Sequence, residues 1–283
     1  AINYAFLDAR VLDAWQLRDG AVALANPLSA ELGVMRTALL PGLVEALGRN
    51  RARQQPRLRL FELGKVFSIA AAGEAPSETR RIAAVACGVA DAEQWGGERR
   101  EVDFYDIKAA VESLLALAGV SAEFRPATRA YGHPGRSAEV WRDGQCIGWV
   151  GHLHPRLLKA LDLDHEVVGF ELDVAPLVAR AVPRAQALSR FPSVRRDLAV
   201  VVPEATPWAA LEASLRAALG SLLREVVLFD RYVGPGLEAG SKSLAMGLIL
   251  QDVSRTLTDH DADQAVAVAL KALGDDCGAR LRA

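Results

Sequence analysis

Three aspartates alternate at Asp259, Asp261 and Asp263, the spacing with which a calcium-binding loop begins. Such a loop needs Gly at its sixth place and Glu at its twelfth, where this chain has Gln264 and Leu270. The same carboxylates fit the first turn of a helix capped by Thr258, where the helix dipole favours negative charge. His152 and His154 stand two apart with Cys146 close by, and on a strand such a pair shares one face, as two metal ligands would. No third or fourth ligand accompanies them, so structural histidines and no metal are expected. Arg49, Arg51, Arg53, Arg57 and Arg59 could contact phosphate, or mark an exposed helix end or a subunit contact. His133-Pro134-Gly135-Arg136-Ser137 reads as a tight loop, and no base accompanies Ser137. The chain contains no P-loop, no G-x-G-x-x-G and no G-x-S-x-G.

The elements that must position these residues fall into two sets around 179–186, a low-pattern stretch containing Pro183. Before it, Leu58–Phe67, Ile82–Val89, Cys146–His152 and Val167–Asp173 read as strands. Leu39–Leu47 reads as a helix, and so does Phe104–Ala118 after the N-cap Asp103. A short helix follows His154-Pro155. Irregular alternation of helices and strands predicts an α+β domain with a mostly antiparallel sheet. After the boundary, Asp197–Val202 reads as a strand and Pro207–Leu219 as a helix capped by Thr206. Leu222–Tyr232 and Lys242–Leu250 read as strands, Asp259–Leu273 as a helix, and Cys277–Leu281 as a last strand. That β-α-β-β-α-β order is the ferredoxin-like arrangement, a four-stranded sheet with helices on one face only. The expected domains are 1–186 and 187–283.

At 283 residues with 51% hydrophobic and 24% charged side chains, the chain is long enough for two cores and excludes wholesale disorder. No apolar run approaches the roughly 20 residues that span a bilayer. The first residues lack the features of a secretory signal, and Ala1 in place of Met suggests a piece of a longer protein. Three scattered cysteines fit a reducing, cytoplasmic setting. A net charge of −2 argues against coating nucleic acid by bulk charge but leaves room for a local contact made by stacking and hydrogen bonds.

Several stretches share their residues, order and spacing with a known family. In the first half they are Asn26-Pro27-Leu28-Ser29, Met35-Arg36-Thr37, 50–56, Phe61-Glu62-Leu63-Gly64-Lys65-Val66-Phe67, Val102-Asp103-Phe104-Tyr105-Asp106-Ile107-Lys108, His133-Pro134-Gly135-Arg136-Ser137-Ala138 and Val150-Gly151-His152-Leu153-His154-Pro155. In the second half they are 190–197, Leu228-Phe229-Asp230, Lys242-Ser243-Leu244 and Arg255-Thr256-Leu257-Thr258. Each motif alone is weak, but their order and spacing together are specific, and on them the chain resembles the C-terminal part of the β subunit of bacterial phenylalanyl-tRNA synthetase.

The resemblance implies an inactive domain built like a class II synthetase core, followed by a ferredoxin-fold anticodon-binding domain. In an active class II domain the strand resembling 60–67 runs into an arginine that holds the ATP α-phosphate, with an acid two places later. Here those places hold Ser68 and Ala70, and neither a hydroxyl nor a methyl group replaces a bidentate guanidinium. No catalytic residue and no cofactor are therefore expected in this chain; ATP and magnesium belong to the holoenzyme. The implied partners are the synthetase α subunit, in an (αβ)₂ assembly, and tRNA(Phe), with no membrane. Residues 26–53 are candidates for the subunit contact. A free-standing ligase would need an ATP site that the sequence does not supply. A stand-alone ferredoxin-like metabolite regulator is the alternative that fold alone leaves open.

Alternation along 242–250 predicts that Leu244, Met246, Leu248 and Leu250 face the helices, leaving Ser243, Ala245, Gly247 and Ile249 on the open face. The same logic puts Asp230 with Tyr232, and Asp197 with Ala199, on that face. Tyr232 can stack on a base, Asp230 can accept from a guanine edge, Ser243 can donate or accept, and Ala245 leaves room. In the resembling family, residues matching Asp230, Tyr232 and Ser243 grip the anticodon's first base. The plainer reading has Tyr232 packing on the Gly234-Pro235-Gly236 turn.

Overall fold

The computed structural model describes residues 1–70, 74–179 and 189–282. The chain divides into two compact units, Ala1–Pro183 and Arg184–Ala283. Apart from Ala179, the boundary stretch 179–186 read from the sequence lies outside the described residues.

The first unit begins with β1 (Phe6–Leu7), α1 (Ala9–Trp15), β2 (Val34–Met35) and α2 (Leu40–Arg51). It continues with β3 (Leu58–Ser68), β4 (Ser77–Cys87), α3 (Phe104–Ala118), β5 (Glu123–Pro126), β6 (Gly132–Arg142) and β7 (Gln145–Leu153). Then come α4 (Pro155–Ala160), β8 (Val168–Asp173) and α5 (Val174–Val178). β3 to β8 form a six-stranded sheet in the order β3-β4-β8-β7-β6-β5, every neighbouring pair antiparallel. Successive side chains on a strand point to opposite faces. Ala83, Val85, Cys87 and Trp149 therefore pack with Leu39, Leu40, Leu43 and Leu47 of the α2 segment. Ala86, Val150, Val168 and Phe170 pack on the other face with Ile107, Val111 and Leu115 of α3.

Helix α3 spans the residues its apolar spacing predicts, and Asp103 accepts from the backbone N–H groups of Tyr105 and Asp106. Asp106 bonds back to the Asp103 N–H, completing a capping box. β1, α1, β2, β5 and α5 were not read from the sequence, α2 runs four residues past Leu47, and two further elements depart from the reading. Strand β4 starts five residues before Ile82, at Ser77, because its charged first half pairs with β3 without burying a face. The expected loop 133–137 lies within strand β6, where the register to β7 slips between Gly132 and Ser137. The slip places Ser137 against Gly151, where an added Cβ would fall 2.4 Å from the Ser137 Cβ, so the strands meet there only because residue 151 is glycine.

The second unit comprises β9 (Val194–Pro203), α6 (Trp208–Leu219), β10 (Leu223–Tyr232), β11 (Ser241–Leu250), α7 (Asp259–Cys277) and β12 (Arg280–Leu281). This is the β-α-β-β-α-β order expected, with the antiparallel sheet order β10-β11-β9-β12. Leu244, Met246, Leu248 and Leu250 are buried with Leu211 and Leu215 of α6 and Ala265 and Leu273 of α7.

Two termini differ from expectation. Pro207, not Thr206, is the N-cap of α6; its extended backbone (φ −75°, ψ 148°) starts the helix one residue later. Helix α7 continues through Cys277 and stops at Gly278 (φ 62°), where glycine alone takes the left-handed conformation freely. The last strand is therefore shorter than read, and Cys277 belongs to the helix. Thr258 and Asp261 cap α7 reciprocally, Asp261 also pairs with Arg255, and Arg196 takes up Asp259 and Asp263. The three aspartates are thus consumed as helix-end charges.

Candidate nucleic-acid interface

Helices α6 and α7 cover one face of the second sheet, so alternate residues of its strands line the other. Tyr232 stands opposite Ser243, and Ser243 opposite Val201; Asp230 stands opposite Ala245, and Ala245 opposite Ala199. The structure thus brings Asp230, Tyr232, Ser243 and Ala245 into two adjacent rows of one face, across two strands. Asp230 is exposed, and its side chain makes no hydrogen bond or ion pair among the described residues. A carboxylate without a protein donor can accept from N–H groups of an incoming ligand.

Tyr232 is half-buried, and its hydroxyl donates to the Pro235 carbonyl at 3.0 Å. Gly234 makes room for this, since an added Cβ would lie 2.8 Å from the Tyr232 hydroxyl. The turn contact that the plainer reading foresaw is therefore present, and it fixes the plane of the ring.

One side chain on this face was missed from the sequence. Beyond β12, the Arg282 N–H donates to the Ala199 carbonyl at 2.9 Å and extends the edge. Its guanidinium donates to Ser243 Oγ at 3.2 Å and lies 5.0 Å from the centre of the Tyr232 ring. Ser243 is consequently 2% exposed, which corrects the expectation of a hydroxyl open to solvent. The signal was the alternation Arg280-Leu281-Arg282, which puts both arginines on the open face; Arg280 pairs with Glu238. The arrangement offers a ring, a carboxylate without a side-chain partner and an exposed cation around a floor of small residues. That combination suits a planar base with N–H donors attached to a phosphate.

The other positions singled out lie in the first unit. Ser68 ends β3 exposed, with its Oγ 2.8 Å from Ser77 Oγ, and Ala70 is exposed just beyond. The neighbouring guanidinium of Arg81 is committed to Asp173 (2.8 Å) and Glu171 (3.0 Å). The centre of that sheet face is filled by Trp15, Tyr131 and Trp149, with ring centres 5.7 and 5.2 Å apart. Burial pushes the Tyr131 hydroxyl up to about 12, so it stays protonated. These residues do not fit the triphosphate of ATP, which requires uncommitted cations. His154 caps α4 by accepting from the Arg156 N–H at 3.0 Å, while His152 is buried, and the two rings serve different elements. Among the described residues no three potential ligands converge on a metal position. Of the arginine run, Arg49 pairs with Glu45, Arg51 binds His165, and Arg57 and Arg59 both donate to the Ala90 carbonyl.

A four-stranded antiparallel sheet covered by two helices on one face and open on the other defines a ferredoxin-like module. Residues 189–282 match the family model described as a ferredoxin-fold anticodon binding domain. Residues 1–174 match the model described as the phenylalanyl tRNA synthetase beta chain CLM domain, and the chain belongs to the phenylalanyl-tRNA synthetase β-chain family. It is 62% identical over 281 residues to the phenylalanine–tRNA ligase beta subunit of Xanthomonas campestris pv. campestris (strain 8004). It is 57% identical over 282 residues to that of Xylella fastidiosa (strain Temecula1). Each match covers 99% of this chain and 36% of the relative, so the chain spans about a third of the curated proteins it matches. No helix among the described residues is long and apolar enough to cross a membrane.

Proposed function

We propose that this chain is the C-terminal part of a phenylalanine–tRNA ligase β subunit, holding the anticodon of tRNA(Phe) while an α subunit carries out the ATP- and magnesium-dependent chemistry. The domains are 1–186, an inert class II-like core that scaffolds the α subunit in an (αβ)₂ assembly, and 187–283, the anticodon-binding domain. The setting is cytoplasmic.

The observation that carries the reading is the open face on which Asp230, Tyr232, Ser243 and Ala245 meet. The first anticodon base stacks on Tyr232 and donates to Asp230, while Ala245 leaves it space and Ser243 holds Arg282. Support for an inert first domain comes from Ser68, bonded to Ser77 where an active relative needs a guanidinium, and from Ala70. The metabolite-regulator alternative has no observation in its favour.

The test is Tyr232→Ala in a holoenzyme assembled from α and full-length β subunits. Base stacking is worth roughly 1–3 kcal/mol, so tRNA affinity is expected to fall about ten- to a hundredfold. Adenylate formation, which needs no tRNA, is expected to persist. Unchanged tRNA affinity in both Tyr232→Ala and Asp230→Ala would overturn the assignment.

A further inference from the structure

A second aromatic lies on the same sheet. Between Leu228 and Asp230 the register of β10 against β11 slips, leaving Phe229 with no partner opposite it. A bulge of this kind re-aims a side chain out of the ladder. Phe229 is 51% exposed and lies outside the core of its unit. The guanidinium of Arg195, which leaves β9 on the open face opposite Ile249, sits 5.4 Å from the centre of its ring. Arg195 Nε donates to Asp197 Oδ1 at 2.7 Å. Under this pair is Gly247, where an added Cβ would fall 2.9 Å from Arg195 Nε and 3.0 Å from Asp197 Oδ1. The absent side chain is what lets a flat guanidinium and a carboxylate lie down on the sheet.

We infer that Phe229, Arg195 and Asp197 form a second nucleobase platform, which takes a base adjacent in the RNA strand to the one on Tyr232. The inference rests on the reading of the open face as the anticodon site. A ring face and a guanidinium plane are surfaces on which unstacked bases settle, and the Phe229 and Arg195 side chains are both about half exposed. Asp197 keeps acceptor capacity for an exocyclic amine, because the Arg195 bond uses one of its oxygens. Phe229 and Tyr232 are three residues apart on one strand, about 10 Å, so the two platforms follow one another as successive stacking sites on single-stranded RNA do. The first base is thus fixed at the Tyr232 end, and the strand runs along β10 towards Arg195.

The experiment uses the holoenzyme with full-length β subunit carrying Phe229→Ala, Arg195→Ala, Phe229→Trp or Tyr232→Ala. Binding is measured for tRNA(Phe) transcripts, unaltered and substituted at each anticodon position in turn. Phe229→Ala is expected to weaken binding of the unaltered transcript five- to a hundredfold. It is also expected to remove discrimination at a position other than the one Tyr232→Ala affects, with Phe229→Trp retaining both. Full affinity and discrimination in Phe229→Ala and Arg195→Ala, beside a weakened Tyr232→Ala, would overturn the platform and leave the anticodon reading standing. Unchanged binding in Tyr232→Ala as well would overturn the reading itself.

Discussion

The guanidinium of Arg282 lies 5.0 Å from the centre of the Tyr232 ring while donating to Ser243 Oγ, so one residue beside β12 covers two members of the open sheet face. A base that stacks on this ring meets the cation first. The hydroxyl tether of Tyr232 to Pro235 holds the ring in place, so a base entering between ring and guanidinium has to displace only the arginine side chain.

Arg282→Ala is therefore expected to expose Ser243 and to lower tRNA affinity by about three- to tenfold in the holoenzyme. The cation also contributes to counterion release, so the slope of log affinity against log salt is expected to flatten by up to about 0.7 for a single strand. Titrations at four salt concentrations check both. An unchanged slope would remove the phosphate-side role of Arg282.

The capping box of α3 gives a pH-dependent prediction. The bidentate contact with Arg100 lowers the Asp106 carboxyl from 3.8 to about 2. A depressed folded-state value stabilises the fold above the unfolded value, and the stabilisation is lost as pH falls from 3.8 towards 2. Asp106→Asn is expected to be less stable than the parent at pH 6 and close to it near pH 2, measured by urea unfolding. Asp103→Ala, which removes the reciprocal cap, is expected to cost about 1 kcal/mol at neutral pH.

What could be read from residue types was the periodicity. The helix Phe104–Ala118 and the buried row Leu244, Met246, Leu248 and Leu250 follow from spacing alone, because one face of each meets a core. Elements without such a face were hidden. The first half of β4 is charged on both sides, and the stretch 133–137 looks like a turn because Pro134 and Gly135 sit in a bulge inside a strand. Within the site, Asp230 and Tyr232 were legible from alternation. Arg282 was not, since its only signal was the three-residue alternation Arg280-Leu281-Arg282 beside a two-residue strand, too short to fix a face. Phe229 reads as part of an alternating strand until the register slip shows that it is an extra residue.

His152 provides a test in the opposite half of the chain. Burial lowers its pKa below 6.5, with Glu166 opposing that shift and Arg136, His133 and Asp103 acting from further away. A base whose folded-state value is depressed favours the fold fully above 6.5, and loses that contribution as pH falls through its folded value. Thermal stability of this unit is expected to decline below about pH 6.5 in the parent. In His152→Asn the decline is expected to be shallower. Equal slopes would mean that another group carries the dependence.

Glu171 supplies the last test, because it decides what buried charge does in a domain lacking the charged pair at 68 and 70. It is 6% exposed on β8, where desolvation pushes its carboxyl up and Arg81 and two backbone N–H groups pull it back. One oxygen accepts from the N–H groups of Leu39 (2.9 Å) and Leu40 (3.0 Å) at the start of α2, and the other from Arg81 at 3.0 Å. The first N–H groups of a helix have no partner within it, so this carboxylate serves as the cap that Leu39, an apolar N-cap, cannot provide. Every hydrogen bond that Glu171 makes among the described residues is thus directed into the fold. Glu171→Ala would strand two buried N–H groups and leave Arg81 with only Asp173 and the Thr37 carbonyl, at an expected cost of about 3–5 kcal/mol. Glu171→Gln keeps an acceptor for the helix but loses the charge facing Arg81, and is expected to fall between. Denaturant unfolding of the two variants should rank them in that order, with adenylate formation in the assembled holoenzyme retained by Glu171→Gln. Loss of adenylate formation in a fully folded Glu171→Gln holoenzyme would instead mean that this buried carboxylate takes part in chemistry.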